Sequence, residues 1–125
     1  MKKILCLLST ICLTMNAQLR TEQELSFQQK SVDFGRVPND TILYVKYVME
    51  NVSNKDVRIN YVNPECSCTD YWISKNIVSP KDTASIILKI DTTNKYGKEK
   101  LYTIVNYGDN KKMFKLTTKL EVYEK

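Results

Sequence analysis

In Thr41-Ile42-Leu43-Tyr44-Val45-Lys46-Tyr47-Val48-Met49-Glu50-Asn51-Val52, both charged side chains fall on positions of the same parity. Successive side chains of an extended strand point to opposite faces. Leu43, Val45, Tyr47 and Met49 therefore share one face, and Ile42, Tyr44, Lys46, Val48 and Glu50 the other. The charges of Lys46 and Glu50 mark the second face as outward. A two-residue period of this length predicts a half-buried strand, so the rest of the chain has to be read as its partners.

Upstream, Pro38-Asn39-Asp40 supplies turn chemistry, so a chain reversal is expected there. Before it, Val32, Phe34 and Arg36 alternate on one side of a second strand, with Gly35 where a bulge or close backbone approach is common. Leu25 and Phe27 form a weak first strand. Downstream, Ser53-Asn54-Lys55-Asp56 is a polar turn, and Val57 and Ile59 then alternate with Arg58 and Asn60, continuing to Tyr61 and Val62. That strand leads into Pro64-Glu65-Cys66-Ser67-Cys68-Thr69. After it, residues 69–78 read as a short strand ending in Ser79-Pro80-Lys81-Asp82, a turn with proline where proline is favoured.

Residues 83–90 place Ala84, Ile86, Leu88 and Ile90 inward, and residues 91–98 read as a loop. In residues 99–106, Leu101, Thr103 and Val105 are hardly more apolar than Tyr102 and Ile104, which predicts a strand covered on both faces. Tyr107-Gly108-Asp109-Asn110 signals a hairpin, and Phe114, Leu116, Thr118, Leu120 and Val122 form the inner face of the last strand. No stretch outside the N-terminal segment holds a 3.6-residue stripe. About seven short alternating segments predict an all-β, immunoglobulin-like antiparallel β-sandwich, with a closed barrel as the structural alternative.

Residues 1–17 are different in kind. Lys2 and Lys3 precede an apolar run from Ile4 to Met15, and Ala17 offers a small residue at a cleavage point, so the segment predicts a cleaved signal peptide. The run is shorter than the roughly 20 residues of a membrane span. Cys12 would suit a lipoprotein signal, but Ile11 stands where a small residue is needed. The expected organisation is thus a signal at 1–17, a short linker at 18–24 and one domain at 25–125. The expected location is the periplasm or the cell exterior, with no integral membrane segment in the mature chain.

Cleavage would leave 17 basic residues against 14 acidic ones, only a mild excess. Lys30, Lys46, Lys55, Lys75, Lys89, Lys98 and Lys119 are scattered along the sequence, so no nucleic-acid partner is expected. The chain has no histidine, which removes the usual base of nucleophilic sites and the commonest imidazole ligand. Its three glycines are isolated, so no phosphate-cradling glycine loop is present.

Of four cysteines, Cys6 and Cys12 would leave with the signal, and Cys66 and Cys68 would remain. Residues two apart can turn both sulfurs to one side of a tight turn. There they could close a small ring, hold a soft metal or meet a partner's thiol. Ser67, Thr69 and Asp70 are the loop neighbours. Two thiolates suit Cu(I), with Met49 or Met113 as a conceivable third ligand, whereas zinc would want four ligands. Tyr71 and Trp72 are a candidate partner-binding patch, or simply packed on the sandwich.

Four pieces of the chain, Phe34-Gly35-Arg36-Val37, Met49-Glu50-Asn51-Val52-Ser53, Cys66-Ser67-Cys68-Thr69 and Ile77-Val78-Ser79-Pro80, resemble in order the bacterial secreted family called domain of unknown function 1573. That family's pattern runs Phe-Gly-x-Val, an asparagine-containing strand end, Cys-Gly-Cys-Thr and Ile-x-Pro-Gly, and the likeness spans roughly residues 25–122. Here Ser67 and Lys81 stand where glycine is usual. Ser67 has a side chain, so a turn requiring φ > 0 at that position would be harder to form. The resemblance implies an immunoglobulin-like fold akin to cilia-associated and major sperm protein modules, an exported protein, and no established activity. The resulting expectation is a non-enzymatic binding or assembly module with an unknown protein partner and no cofactor. The alternative is a periplasmic thiol-redox or copper-handling protein using Cys66 and Cys68.

Overall fold

The computed structural model describes residues 24–125, so the expected signal at 1–17 and linker residues 18–23 lie outside the described residues. Within them run nine strands: β1 (Leu25–Phe27), β2 (Ser31–Pro38), β3 (Ile42–Asn51), β4 (Val57–Pro64), β5 (Thr69–Ile73), β6 (Ile77–Val78), β7 (Thr83–Asp91), β8 (Gly97–Tyr107) and β9 (Lys112–Tyr123). They form a four-stranded sheet in the order β1-β3-β7-β5 and a five-stranded sheet in the order β2-β9-β8-β4-β6. The two-layer sandwich predicted from the alternation is present. β1 and β6 are very short, so the expected count of about seven describes the longer strands.

The core follows the predicted parity. Val45, Tyr47 and Met49 of β3, and Ala84, Ile86, Leu88 and Ile90 of β7, are all buried on one sheet. Leu116, Thr118, Leu120 and Val122 of β9 face them from the other sheet, with Leu101, Thr103 and Val105 of β8. Fully burying one such aliphatic side chain stabilises by about 1.5–3 kcal/mol, so these two inner faces carry the fold. Tyr47 is the polar member of this core. Its hydroxyl donates to the Thr117 carbonyl at 2.9 Å and lies 3.0 Å from Thr118 Oγ1, joining the two sheets across the interior. Burial raises its pKa above the ordinary 10.0, because the phenolate would have to form away from water.

Four features depart from the expected pattern. Arg36 does not share the face of Val32 and Phe34. Gly35 has a φ of 68°, the register shifts between Asp33 and Arg36, and it is Val37 that becomes buried. The bulge admits one extra residue and so reverses the parity beyond it. A second shift between Ile59 and Tyr61 buries Val62 and exposes Tyr61. The single short strand expected over residues 69–78 is two strands, β5 and β6, lying in different sheets. Finally, β2 runs parallel to β9, so Pro38-Asn39-Asp40 carries the chain from one sheet to the other and does not close a hairpin. The other described pairings are antiparallel.

Glu24, assigned to the linker by sequence, is docked on the sandwich: its carbonyl accepts from Val52 N at 2.9 Å.

Candidate functional site

The Cys66 segment is the crossover from β4 in one sheet to β5 in the other. Pro64 ends β4, and Glu65 N donates to the Tyr102 carbonyl at 2.9 Å, holding the exit of that strand against β8. Thr69 N then donates to the Cys66 carbonyl at 3.1 Å, which makes residues 66–69 a tight turn with Ser67 and Cys68 at its centre. Asp91 N donates to the Cys68 carbonyl at 3.0 Å and so fixes the start of β5 against β7. The two sulfurs, 2.07 Å apart, are at disulfide distance, with 5.1 Å between the Cα atoms. Both cysteines are partly buried against the core, while Ser67 at the tip is exposed. Ser67 is not among the residues with positive φ, so this turn forms without glycine. Lys81 is the opposite case. With Asp82 N bonded to the Ser79 carbonyl at 3.0 Å and a φ of 67°, it holds the turn position that favours glycine.

The structure does not bring the other sequence candidates to the sulfurs. Met49 is wholly buried in the register row of Ala84, seven residues along β7 from Asp91, or about 23 Å at roughly 3.3 Å per residue. Met113 is exposed opposite Asn106, four residues along β8 from the Tyr102 that holds Glu65. Asp70 points outward in the row of Lys89. Thr69 Oγ1 lies 3.4 Å from Cys68 Sγ. Among the described residues, no group of three or more Cys, Asp or Glu side chains converges as a metal site would require.

What the crossover does create is an open edge. β5 pairs with β7 on one side and with no described strand on the other. Cys68 and Ser74 bond to Asp91 and Ser85 of β7, so in an antiparallel ladder Asp70 and Trp72 also direct their backbone groups toward β7. The N–H and C=O groups of Tyr71 and Ile73 then face the open side. Tyr71 and Trp72 are both exposed, the latter at 53%, in preference to being packed on the sandwich. Trp72 lies on the outer sheet face in the row of Ile87, itself partly exposed.

At the far end of the same sheet the polar groups are closed on one another. Asn51, wholly buried, donates from Nδ2 to the carbonyls of Lys55 and Val78, both at 2.7 Å. Its Oδ1 accepts from Ser53 N at 2.9 Å and Ser53 Oγ at 2.6 Å. This node ties the end of β3 to the following turn and to β6. Sequence reading noted the asparagine but had no signal for its four bonds.

Two facing β-sheets, with β1 in one and β2 in the other and a Cys-x-Cys turn at one crossover, make an immunoglobulin-like β-sandwich. The PapD-like domain 7 of human CEP192 superposes with a TM-score of 0.68 at 10% identity, covering 86% of this chain and 92% of that one. A protein of unknown function from Porphyromonas gingivalis W83 gives the same TM-score at 11% identity over 85% of this chain, which spans about half (51%) of that protein. The Vibrio cholerae VesB protease matches over 79% of this chain and 32% of its own length, with a TM-score of 0.64 and 12% identity. At such identities the likeness is one of fold. The chain belongs to the protein family of unknown function DUF1573, which matches residues 25–122. No significant match was found among curated protein sequences.

Proposed function

We propose that this protein is an exported, non-enzymatic binding or assembly module that captures an extended segment of a protein partner along the free edge of β5. The observation that carries the reading is the outward row of Tyr71 and Ile73 backbone groups beside an exposed Trp72. Edge addition uses main-chain hydrogen bonds for affinity and flanking side chains for specificity. The charged head, apolar run and small residue of residues 1–17 support export to the periplasm or cell exterior. A partner would find the Cys66–Cys68 turn at the head of the strand it joins.

The test is Tyr71→Pro, compared with wild type in pull-downs from the native envelope under mild conditions. Proline removes an N–H that faces the open side and leaves the ladder to β7 intact, a position where edge strands tolerate it. Loss of a stoichiometric partner with an unchanged circular dichroism spectrum is the expected result. Undiminished capture would end the edge reading.

A second reading, thiol–disulfide exchange at Cys66 and Cys68, has its own observation in the tight turn that holds both cysteines at the crossover. Intact mass with and without alkylation, before and after a dithiol reductant, is its measurement. A pair that neither reduces nor exchanges under mild dithiol would remove it.

A further inference from the structure

Two of the lysines that are scattered in sequence, Lys98 and Lys119, meet Lys100 on the outer face of the five-stranded sheet. Alternation places Lys98 and Lys100 on one face of β8, and Lys119 and Glu121 on the matching face of β9. The register sets Lys98 opposite Glu121 and Lys100 opposite Lys119, while β2 contributes Asp33 beside Lys119 and Arg36 beside Glu121. Between them lies an open groove of about 490 Å³, whose lining also includes Gly35 and Glu99. Gly35 has no side chain and sits at φ 68°, with nothing within 4 Å of where a Cβ would stand, so the bulge leaves this side of the groove clear.

The charges are not evenly balanced. Four cations and three acids border the groove. Asp33 accepts from Gly35 N at 2.8 Å, closing the bulge. Glu99 has the opposite parity on β8 from Lys98 and Lys100, although it borders the groove. Glu121 faces Lys98 on one side and Arg36 on the other, and Arg36 is held with its guanidinium 4.8 Å from the Tyr123 ring centre. Lys100 and Lys119 stand directly opposite each other, with Asp33 beside Lys119 on β2, and neither lysine makes an ion pair among the described residues. Like charges directly opposed across a sheet are destabilising, with Cβ atoms only about 4.5–5.5 Å apart. Such a pair is relieved by an anion that both ammonium groups can reach.

We infer that this groove is a binding site for a phosphate monoester, with Lys100 and Lys119 holding the dianion and Arg36 and Lys98 closing its rim. Two facing ammonium groups outside any ion pair match the charge of one phosphate monoester, and a guanidinium fork adds directed donors to its oxygens. The volume falls in the range of small-ligand sites and leaves room for what the phosphate is attached to, a sugar or the glycerol of a lipid headgroup. The site is on the opposite sheet from β5 and stands independently of the edge reading.

The experiment is an amide chemical-shift titration of the purified protein at low ionic strength with glucose 6-phosphate, using glucose and inorganic sulfate as controls. Saturable shifts confined to residues 33–36, 98–100 and 119–121 are expected with the phosphate ester, with at least tenfold weaker binding in Lys100→Gln/Lys119→Gln. That variant should melt at or above the wild-type temperature in low salt, because the opposed charges are gone. A lower melting temperature would make the lysines structural. Lys100→Arg/Lys119→Arg, which keeps both charges, then decides: retained binding supports the site and lost binding overturns it. Vesicles containing phosphatidic acid, against phosphatidylcholine alone, distinguish the two sources. Binding to phosphatidic acid that the glutamine variant loses assigns a lipid headgroup, and binding to the sugar ester alone assigns a soluble one. Shifts spread over other surface lysines, or equal binding by the glutamine variant, would overturn the proposal.

Discussion

The Asn51 node and the β5 edge belong to the same four-stranded sheet but treat their polar groups in opposite ways. At Asn51 every side-chain donor and acceptor is closed on a neighbour, and the residue is wholly out of water. Along β5 the outer backbone groups face no described strand, and Tyr71 and Trp72 are exposed. A buried polar group left without its partner costs about 1–3 kcal/mol, whereas an exposed one is satisfied by water at little cost. The node is therefore where the sheet is stabilised, and the edge is where it is left available.

The sharpest way to break this contrast is Asn51→Ala, which strips partners from the buried Val78 carbonyl and from the turn at Ser53 and Lys55. A loss of about 3 kcal/mol is expected, a fall of more than about 10 °C in Tm, measured by urea and thermal unfolding. A loss below about 1 kcal/mol would dissolve the distinction. Second comes Cys66→Ser/Cys68→Ser at the head of the edge. Closing so small a loop stabilises by at most about 1.6 kcal/mol in the loop-entropy estimate, so the double variant should unfold at a denaturant midpoint only modestly below wild type. A larger drop would make the turn a staple and move it to the node's side of the comparison.

Lys81→Gly should raise stability, by about 0.5–1 kcal/mol, because glycine adopts the positive φ of this position without a Cβ penalty. The same unfolding curves test it. The smallest effect is on the acid limb. Asp82 accepts from Lys75 Nζ at 2.7 Å and from Thr83 N at 2.8 Å, and these bonds hold its carboxyl below the ordinary value of 3.8. A lowered folded pKa gives stability that is present above 3.8 and lost as the pH falls through the folded value. Asp82→Asn should flatten that slope in a pH series of melting temperatures and leave neutral pH nearly unchanged.

How far the fold was legible follows from where parity is unbroken. β3 and β7 carry clean alternation, and Val45, Tyr47, Met49, Ala84, Ile86, Leu88 and Ile90 could all be placed inside from sequence. Arg36 and Tyr61 could not be placed, because each lies just past a bulge that reverses the faces. Gly35 hinted at the first bulge, and nothing in the residues around Asn60 announced the second. The separation of β5 from β6 was hidden because the sheet a strand joins depends on its partners, which are distant in sequence. For the site, Cys66 and Cys68 were legible as a pair that could close on itself. The open edge, the four bonds of Asn51 and the gathering of Lys98, Lys100 and Lys119 depend on register, which a scan along the chain does not contain.

The parallel pairing of β2 with β9 bears on the order in which the molecule can be made. Residues near the start of the domain bind residues near its end: Ser31 lies beside Thr117, and Asn39 Oδ1 accepts from the amide of Lys125, 86 positions on. A chain released N-terminus first cannot close this side of the sandwich until β9 has emerged. Contacts of such long range slow folding, because the loop must be closed before they contribute. Until then the sides of β2 and β8 that pair with β9 both stay open, which places the interval of greatest aggregation risk before β9 has emerged.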